Sequence, residues 1–393
     1  MFTKLRFLTS GESHGRGLIA LLEGIPAGLE LSEEDIDLDL RRRQQGHGRG
    51  GRMKIEQDHV IFVSGVRWGK TIGSPLSLLI ENRDWSNWQD GMSADASKEG
   101  SVQPVTKPRP GHADLAGVLK YGHSDVRNIL ERSSARETVA RVAAGAVAKK
   151  FLAEFGIYVF SYVSRIGSVA MNELSADLAD SLFPEAEKSP VRCPENEASG
   201  KMVALIDKAA AKGDTLGGIF RIIVTGVPAG LGSHIQWDRR LNARLMMAIG
   251  SIQAIKGVEI GLGFEAAGRF GSEVMDEIFI SPQKGYFRET NNAGGIEGGM
   301  SNGMPVYITA AMKPIPTLKT PLRSVDIITG AAIEAAYERS DTCAVPAASI
   351  VGEAMAALCV ADALLEKFGG DSMTEIKRNF RSSEERSGNL FGT

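Results

Sequence analysis

Three short runs set proton donors and anion-holding groups among small residues: Gly11-Glu12-Ser13-His14-Gly15, Arg132-Ser133-Ser134-Ala135-Arg136-Glu137-Thr138 and Arg339-Ser340-Asp341. The 393 residues include only 6 His, so one placed between Ser and Gly in a turn calls for a reason. With an unperturbed pKa near working pH, His14 is suited to donating a proton to a leaving group or a substrate oxygen. The competing reading is a structural His satisfied by its neighbours. His112, in Arg109-Pro110-Gly111-His112-Ala113-Asp114, carries the same choice and sits just past a rigid Pro-Gly corner. Ser133-Ser134 at a helix start offers backbone N–H groups and the positive end of the dipole, which suits an anion as well as an ordinary cap. Together the three runs point to an enzyme acting on a polyanionic small molecule.

Further cation-rich and glycine-rich segments extend this picture. Residues 41–52 read RRRQQGHGRGGR. Arginine forks fit carboxylate and phosphate through paired hydrogen bonds, and the glycines let a loop close on such a ligand. A solvated basic loop, or an RGG-like nucleic-acid segment, is the alternative there. The missing aromatics and a net charge of −3 argue against nucleic acid. Lys313-Pro314-Ile315-Pro316-Thr317 follows a strand it cannot continue, and a rigid loop with one Lys and a terminal hydroxyl suits a phosphate pocket. Residues 291–300 form a Gly-rich loop, but without the strand-loop-helix context of a dinucleotide fold, and there is no Walker lysine motif.

These groups need a mixed α and β scaffold to hold them. Strand patterns cover Leu18–Glu23, Val60–Ser64, Leu76–Ile80, Ile157–Ile166, Phe220–Val227, Ile278–Ser281 and Val306–Met312. Capping boxes at Ser32-x-x-Asp35 and Ser134-x-x-Glu137 open two helices, the first to about Arg43 and the second long and Val/Ala-rich. A third helix runs from Pro346 to Phe368 and stops at Gly369-Gly370.

Parts of the chain recur in the same order. Glu23-Gly24-Ile25-Pro26-Ala27-Gly28-Leu29 returns as Thr225-Gly226-Val227-Pro228-Ala229-Gly230-Leu231. Thr71-Ile72-Gly73-Ser74-Pro75 has a partner in Ser301-Asn302-Gly303-Met304-Pro305, and Glu131-Arg132-Ser133 in Glu338-Arg339-Ser340. Either the matches are coincidence or two similar halves face each other, with Arg132 and Arg339 meeting near the middle. No compositional break separates domains. The expectation is one domain over 1–370 with a peripheral, acidic insertion at about 171–215, then a polar, mobile tail over 371–393. Three scattered cysteines give neither a disulfide framework nor metal spacing, so no metal is expected. With no signal-peptide pattern and no apolar run judged long enough for a membrane, a cytoplasmic, reduced-thiol protein without membrane association is expected.

The ordered runs at 11–15, 132–138 and 339–341, with RPGHAD at 109–114 and KPIPT at 313–317, closely resemble the signature segments of the chorismate synthase family. The resemblance implies an α/β (α+β) fold, a β-α-β sandwich with antiparallel sheets and an internal pseudo-twofold repeat. It implies a lyase of the shikimate pathway that eliminates phosphate from 5-enolpyruvylshikimate 3-phosphate in a 1,4-anti sense to give chorismate, with reduced FMN and no net redox change. It also implies a homotetramer of the monofunctional type, fed by an external flavin reductase, since the length leaves no room for a reductase domain.

Site roles follow from the resemblance alone. Arg43, Arg49, Arg109, Arg136 and Arg339, with Ser13, hold the substrate. His14 protonates the departing phosphate, His112 sets the flavin protonation state, and Asp341 assists proton removal through the flavin N5. Arg132, Ser133, Ser134, Gln253, Ala254, Gly298, Lys313, Pro314, Ile315, Pro316, Thr317 and Arg339 contact FMN. Two other readings stay open: a flavin-dependent oxidoreductase acting on a phosphorylated carboxylate, and an RNA-binding protein using the Arg41–Arg52 loop.

Overall fold

The computed structural model describes residues 2–50, 57–172, 179–281, 285–336 and 340–389. Two antiparallel sheets of the same design carry the fold. In the first half, β1 (Arg6–Ser10), β2 (Gly17–Glu23), β3 (Val60–Ser64) and β4 (Leu76–Glu81) lie in the order β1-β2-β4-β3. In the second, β5 (Tyr158–Ile166), β6 (Gly218–Thr225), β7 (Ile255–Ile260) and β8 (Val306–Met312) lie in the order β5-β6-β8-β7, with Val169–Ala170 added beyond β5. Period-two patterning sets the inner faces: Leu18, Ala20 and Leu22 on β2 are buried, as are Phe220, Ile222 and Val224 on β6.

The recurrence in the sequence is a recurrence of hydrogen bonds. Thr71 Oγ1 donates to Pro26 O (2.6 Å) and accepts from Leu29 N (3.0 Å), while Thr71 N donates to Leu29 O (2.9 Å). Ser301 repeats the set on Pro228 O (2.6 Å), Leu231 N (2.8 Å) and Leu231 O (2.9 Å). A hydroxyl is needed at both positions because the turn after β2 or β6 leaves a backbone donor and acceptor facing inward, and buried backbone groups must be paired.

Helices occupy equivalent places. α1 (Glu33–Gln44) joins β2 to β3. After β4 come α2 (Asp114–Tyr121), α3 (Arg127–Ser133) and α4 (Thr138–Ala153). α5 (Ala179–Lys188) and α6 (Asn196–Ala211) follow β5, α7 (Leu241–Gly250) joins β6 to β7, and α8 (Val345–Phe368) follows β8. α4 packs on β2 and β4, α8 on β5 and β6, and the two helices pack on each other, so the helical layer lies between the sheets. The crossing needs a bare backbone: a Cβ on Gly145 would come within 2.2 Å of the Ala354 Cβ. One continuous apolar core, from Leu5 to Ile376, includes residues of both halves.

A buried charge cluster ties α1 to this core. Glu353 on α8, 1% exposed, accepts from Arg42 (2.7 and 2.9 Å), Lys149 (2.9 Å) and Ser161 (2.8 Å). Burial would raise this carboxyl, but Arg42, Lys149 and Arg192 outweigh it and hold it well below the usual range. The result fixes the last turn of α1, from which Arg43 and the 46–50 loop depart.

Three sequence expectations need correction. Residues 171–215 are not merely peripheral: Cys193, Met202 and Ile206 join the core, and α5 covers the outer face of β5 through Phe183 against Phe160. The polar segment after Gly370 is helical as α9 (Met373–Asn389), anchored by buried Met373 and Ile376 and by Phe380 between Phe155 and Phe368. α8 is in fact long and apolar enough to cross a membrane, yet its most apolar window is wholly buried, with Glu353 and Asp362 paired inside the fold. A smaller difference lies at Ser134, which caps a short 3-10 turn (Ala135–Glu137) before α4 begins at Thr138.

Candidate active site

The loop between β1 and β2 carries Ser13 and His14, and α3 holds it from below. Glu131, 3% exposed, accepts from the His14 backbone N–H (2.8 Å) and meets the ring Nδ1 (2.8 Å), while its own carbonyl accepts from Ser13 N (3.0 Å). Trp88 lies on the other side of the imidazole, ring centroids 4.4 Å apart. Burial would raise the Glu131 carboxyl, but the His14 bonds and Arg127 outweigh it and hold it below its ordinary value.

Asn82, at the end of β4, links this loop to the arginines. Its amide donates to Glu12 O (3.1 Å) and Gly15 O (2.8 Å), and its carbonyl accepts from Arg136 Nε (2.8 Å). Arg136 and Arg43 then share one carboxylate, Asp58, at 2.5 and 2.7 Å. Burial would raise Asp58, but the two guanidinium groups hold it low. Burial and the nearby Arg136 and Arg49 pull the Arg43 guanidinium below its usual range against the pull of Asp58, and its Nε is buried with no partner. A cation crowded by two others beside one carboxylate is an environment that an incoming anion would stabilise.

A second network holds the 109–114 corner. Arg109 donates to Asp114 through Nε (2.8 Å) and Nη2 (3.1 Å) and to Thr317 Oγ1 through Nη1 (3.1 Å). The His112 Nδ1 also bonds Asp114 Oδ1. Despite burial, those partners press the Asp114 carboxyl far below its ordinary value. Lys313 donates to Gly111 O (2.6 Å), and burial together with Lys256 lowers its ammonium. The Thr317 carbonyl accepts from Ser340 Oγ (3.1 Å), and the adjacent Asp341 binds Arg49 Nη1 and Gly50 N, each at 2.6 Å.

The third group surrounds Glu137, which accepts from Thr9 Oγ1 (2.8 Å), Gln253 Nε2 (3.0 Å) and Arg141 Nε (2.9 Å). Arg132 reaches the same strand at Thr9 O (2.8 Å) and Oγ1 (2.6 Å). Glu137 thereby joins β1 of one half to the α7–β7 turn of the other, where Ala254 holds a left-handed backbone (φ 67°). A non-glycine residue in that region is a position worth explaining by function. Ser133 Oγ caps back onto Ile129 O (2.8 Å) and Ser134 Oγ accepts from Arg136 N (3.2 Å).

A chorismate synthase family profile matches residues 5–365. The chorismate synthase of Aquifex aeolicus is 59% identical over 383 residues, covering 96% of each chain, and that of Geobacter sulfurreducens 58% identical, covering 96% of this chain and 97% of its own. The chain belongs to the chorismate synthase family. A crystal structure of a chorismate synthase superimposes with a TM-score of 0.81 at 47% identity, covering 99% of this chain and all of that one. As a member of the family, the chain is a lyase of aromatic amino-acid biosynthesis with an α+β fold of antiparallel sheets.

Of the residues singled out in the sequence, His14, Ser13, Arg43 and Arg136 share the Asn82–Asp58 network, and Arg49 and Asp341 pair beside it. His112, Arg109, Lys313 and Thr317 form the second group, and Arg132 and Gln253 meet through Thr9 and Glu137. Gly298 lies at a hairpin tip between Ile296–Glu297 and Met300–Ser301, with a left-handed φ of 58°. Pro314 and Pro316 rigidify the segment from which Ile315 O accepts a bond from Thr215 (2.7 Å). Arg339 lies outside the described residues. Asp58, Asn82, Glu131 and Glu137 were not singled out as site residues. Glu131 stands just before the second signature run and Glu137 within it, which was a usable signal; Asn82 and Asp58 had none.

The residues present fit a flavin phosphate and ring. Gln253 donates to Glu137, which leaves its Oε1 buried with no partner, an acceptor in want of an N–H. Gly298 has open space where a side chain would stand, and Gly111 only loose neighbours. The depressed ammonium of Lys313 would recover on meeting an anion.

Proposed function

We propose that this enzyme converts 5-enolpyruvylshikimate 3-phosphate to chorismate by 1,4-anti elimination of phosphate, with reduced FMN as an unconsumed cofactor. The observation that carries this reading is the convergence of a carboxylate-held His14 with Arg43, Arg49 and Arg136 around Asp58 and Asn82. A substrate bearing a phosphate and two carboxylates matches that surplus of guanidinium groups.

Arg43, Arg49, Arg136 and Arg339, with Ser13, bind the anionic groups of the substrate. His14 donates a proton to the departing phosphate. Arg109, whose fork is engaged by Asp114 and Thr317, holds the corner that carries His112 and so acts on the substrate side indirectly. His112 stands ready to exchange a proton with the cofactor, and Asp341 would assist removal of the proton lost from the ring carbon. Arg132, Ser133, Ser134, Gln253, Ala254, Gly298 and Lys313 to Thr317 would hold FMN. When bound, reduced FMN supplies an electron-rich partner that makes elimination across an unactivated C–H bond feasible without net oxidation. The chain's own part is positioning, charge neutralisation and exclusion of water.

The protein acts in the cytoplasm as a homotetramer and draws reduced flavin from a separate reductase. Supporting self-association, Leu8, Ile19, Leu21 and Ile61 stand on the outer face of the first sheet, with Leu8 62% exposed. An apolar sheet face of this kind is a common mark of an interface.

The test is phosphate release from 5-enolpyruvylshikimate 3-phosphate under strict anaerobiosis. Release with dithionite-reduced FMN and none with oxidised FMN is expected. Equal release with oxidised FMN would refute the cofactor requirement. Aerobic turnover with NADPH and catalytic FMN, without added reductase, would refute the dependence on an external one.

A further inference from the structure

His14 is held by two groups from outside its own loop, Glu131 and Trp88, and Arg127 braces both. Glu131 takes the backbone N–H with Oε2 and the ring Nδ1 with Oε1, both at 2.8 Å. Trp88 stacks on the ring at 4.4 Å. Arg127, one turn before Glu131 on α3, lies over the Trp88 ring (4.8 Å) and reaches Glu131 Oε1 (3.3 Å). The carboxylate is 3% exposed, so bulk water does not compete for it.

We propose that Glu131 is the positioning residue of the acid His14, holding the ring with Nδ1–H toward α3 and Nε2 outward, with Trp88 and Arg127 completing the clamp. This rests on the reading of His14 given above. The physical case is direct. A carboxylate accepting from Nδ1–H fixes which nitrogen faces the reactant, and it stabilises the imidazolium that a proton donor needs. Binding the same residue's backbone N–H fixes where the ring begins, so neither rotation of χ1 nor drift of the loop is free. Arg127 works in the opposite sense, since it shares Glu131 and places a positive charge near the ring.

Among the described residues, other charged groups stand about the ring. On His14's own loop are Glu12, whose carboxylate lies against Gly15, and Arg16, over Trp85. On the turn carrying Trp88 are Arg83 and Asp84, the latter bonded to Asn87. Glu131 bonds the imidazole directly.

The test compares Glu131→Gln, Glu131→Asp and Arg127→Met in the full-length protein. For Glu131→Gln, oxidised FMN should still quench on binding with wild-type affinity, and the substrate KM should change little. kcat should fall about 10- to 100-fold, the usual cost of removing an outer partner of a functional His. A proton donor loses activity as pH rises, so the descending limb of kcat should move to lower pH by about one unit in Glu131→Gln. In Arg127→Met it should move to higher pH, and Glu131→Asp should recover part of the rate. Opposite shifts from the two charge removals are not something a merely damaged fold would give. In the substrate-free protein, nitrogen NMR of labelled histidine should show one His14 tautomer, Nδ1 protonated, that is lost in Glu131→Gln. Unchanged limbs together with an unchanged tautomer would overturn the proposal. Because the NMR readout needs no turnover, it judges Glu131 even if phosphate release fails in the wild type. If Glu131→Gln does not fold, Arg127→Met decides: an unmoved limb counts against the clamp.

Discussion

The two halves of the molecule share a scaffold and differ in what is hung on it. Each is built on four antiparallel strands in the same order, to which the second adds a short fifth, with a helix between the second and third and a hydroxyl residue, Thr71 or Ser301, making the same three bonds to the turn after the second strand. The loops do not follow the symmetry. The first half places His14, Arg43, Arg49, Arg109, His112 and the Arg132–Arg136 run; the second places Gln253, Ala254, Lys313–Thr317 and Asp341. The outer faces differ as well, one bare and apolar, the other covered in part by α5. The lesson is a division of labour. Equivalent positions carry packing and turn closure, while inequivalent ones bring the polar groups of both halves together at the start of α4.

The largest expected effect falls where the halves meet. Glu353→Ala removes the buried carboxylate that Arg42, Lys149 and Ser161 share, leaving Arg42 to Asp39 and Glu187 and Lys149 to Asp39, and should lower unfolding free energy by about 3 kcal/mol in chemical denaturation. A change below about 1 kcal/mol would mean the cluster does not join the halves. His14→Ala should cost about 100- to 10,000-fold in kcat with the thermal midpoint nearly unchanged. A loss of stability instead of rate would return His14 to a structural role.

Symmetry itself is testable. Thr71→Val and Ser301→Ala should each cost about 1–3 kcal/mol by stranding buried backbone groups, with little change in kcat. Costs differing severalfold would break the equivalence.

A smaller effect concerns acid. Asp58, Asp114, Glu131, Glu137 and Glu353 all titrate below their ordinary values in the folded state. Each therefore adds stability that is fully present above the unfolded carboxyl range, about pH 4 to 4.5, and is lost as pH falls through the depressed folded value. Thermal midpoints should hold from pH 7 to about 5 and decline steeply below 4. A flat profile down to pH 3 would contradict the assigned pairings.

Much of the scaffold was legible because regular elements announce themselves locally. Val60–Ser64 and Val306–Met312 fall on strands of those bounds, and the Ser32 capping box opens α1. The repeat was legible because its turns demand Gly, Pro and a hydroxyl. Residues 171–215 and α9 were missed since their apolar residues are sparse and find partners only in the tertiary fold. In the candidate site, His14 and the arginines were visible by type. Ala254 was not, because nothing in an alanine announces a left-handed backbone. Asn82 and Asp58 were not, because their value lies in joining groups distant in sequence.

The most direct measurement of the central claim is the ratio of chorismate formed to flavin oxidised over many anaerobic turnovers. The account predicts many equivalents of chorismate, each matched by one phosphate, with FMN still reduced at the end. One flavin oxidised for every product would contradict it and identify a flavin-dependent oxidoreductase instead.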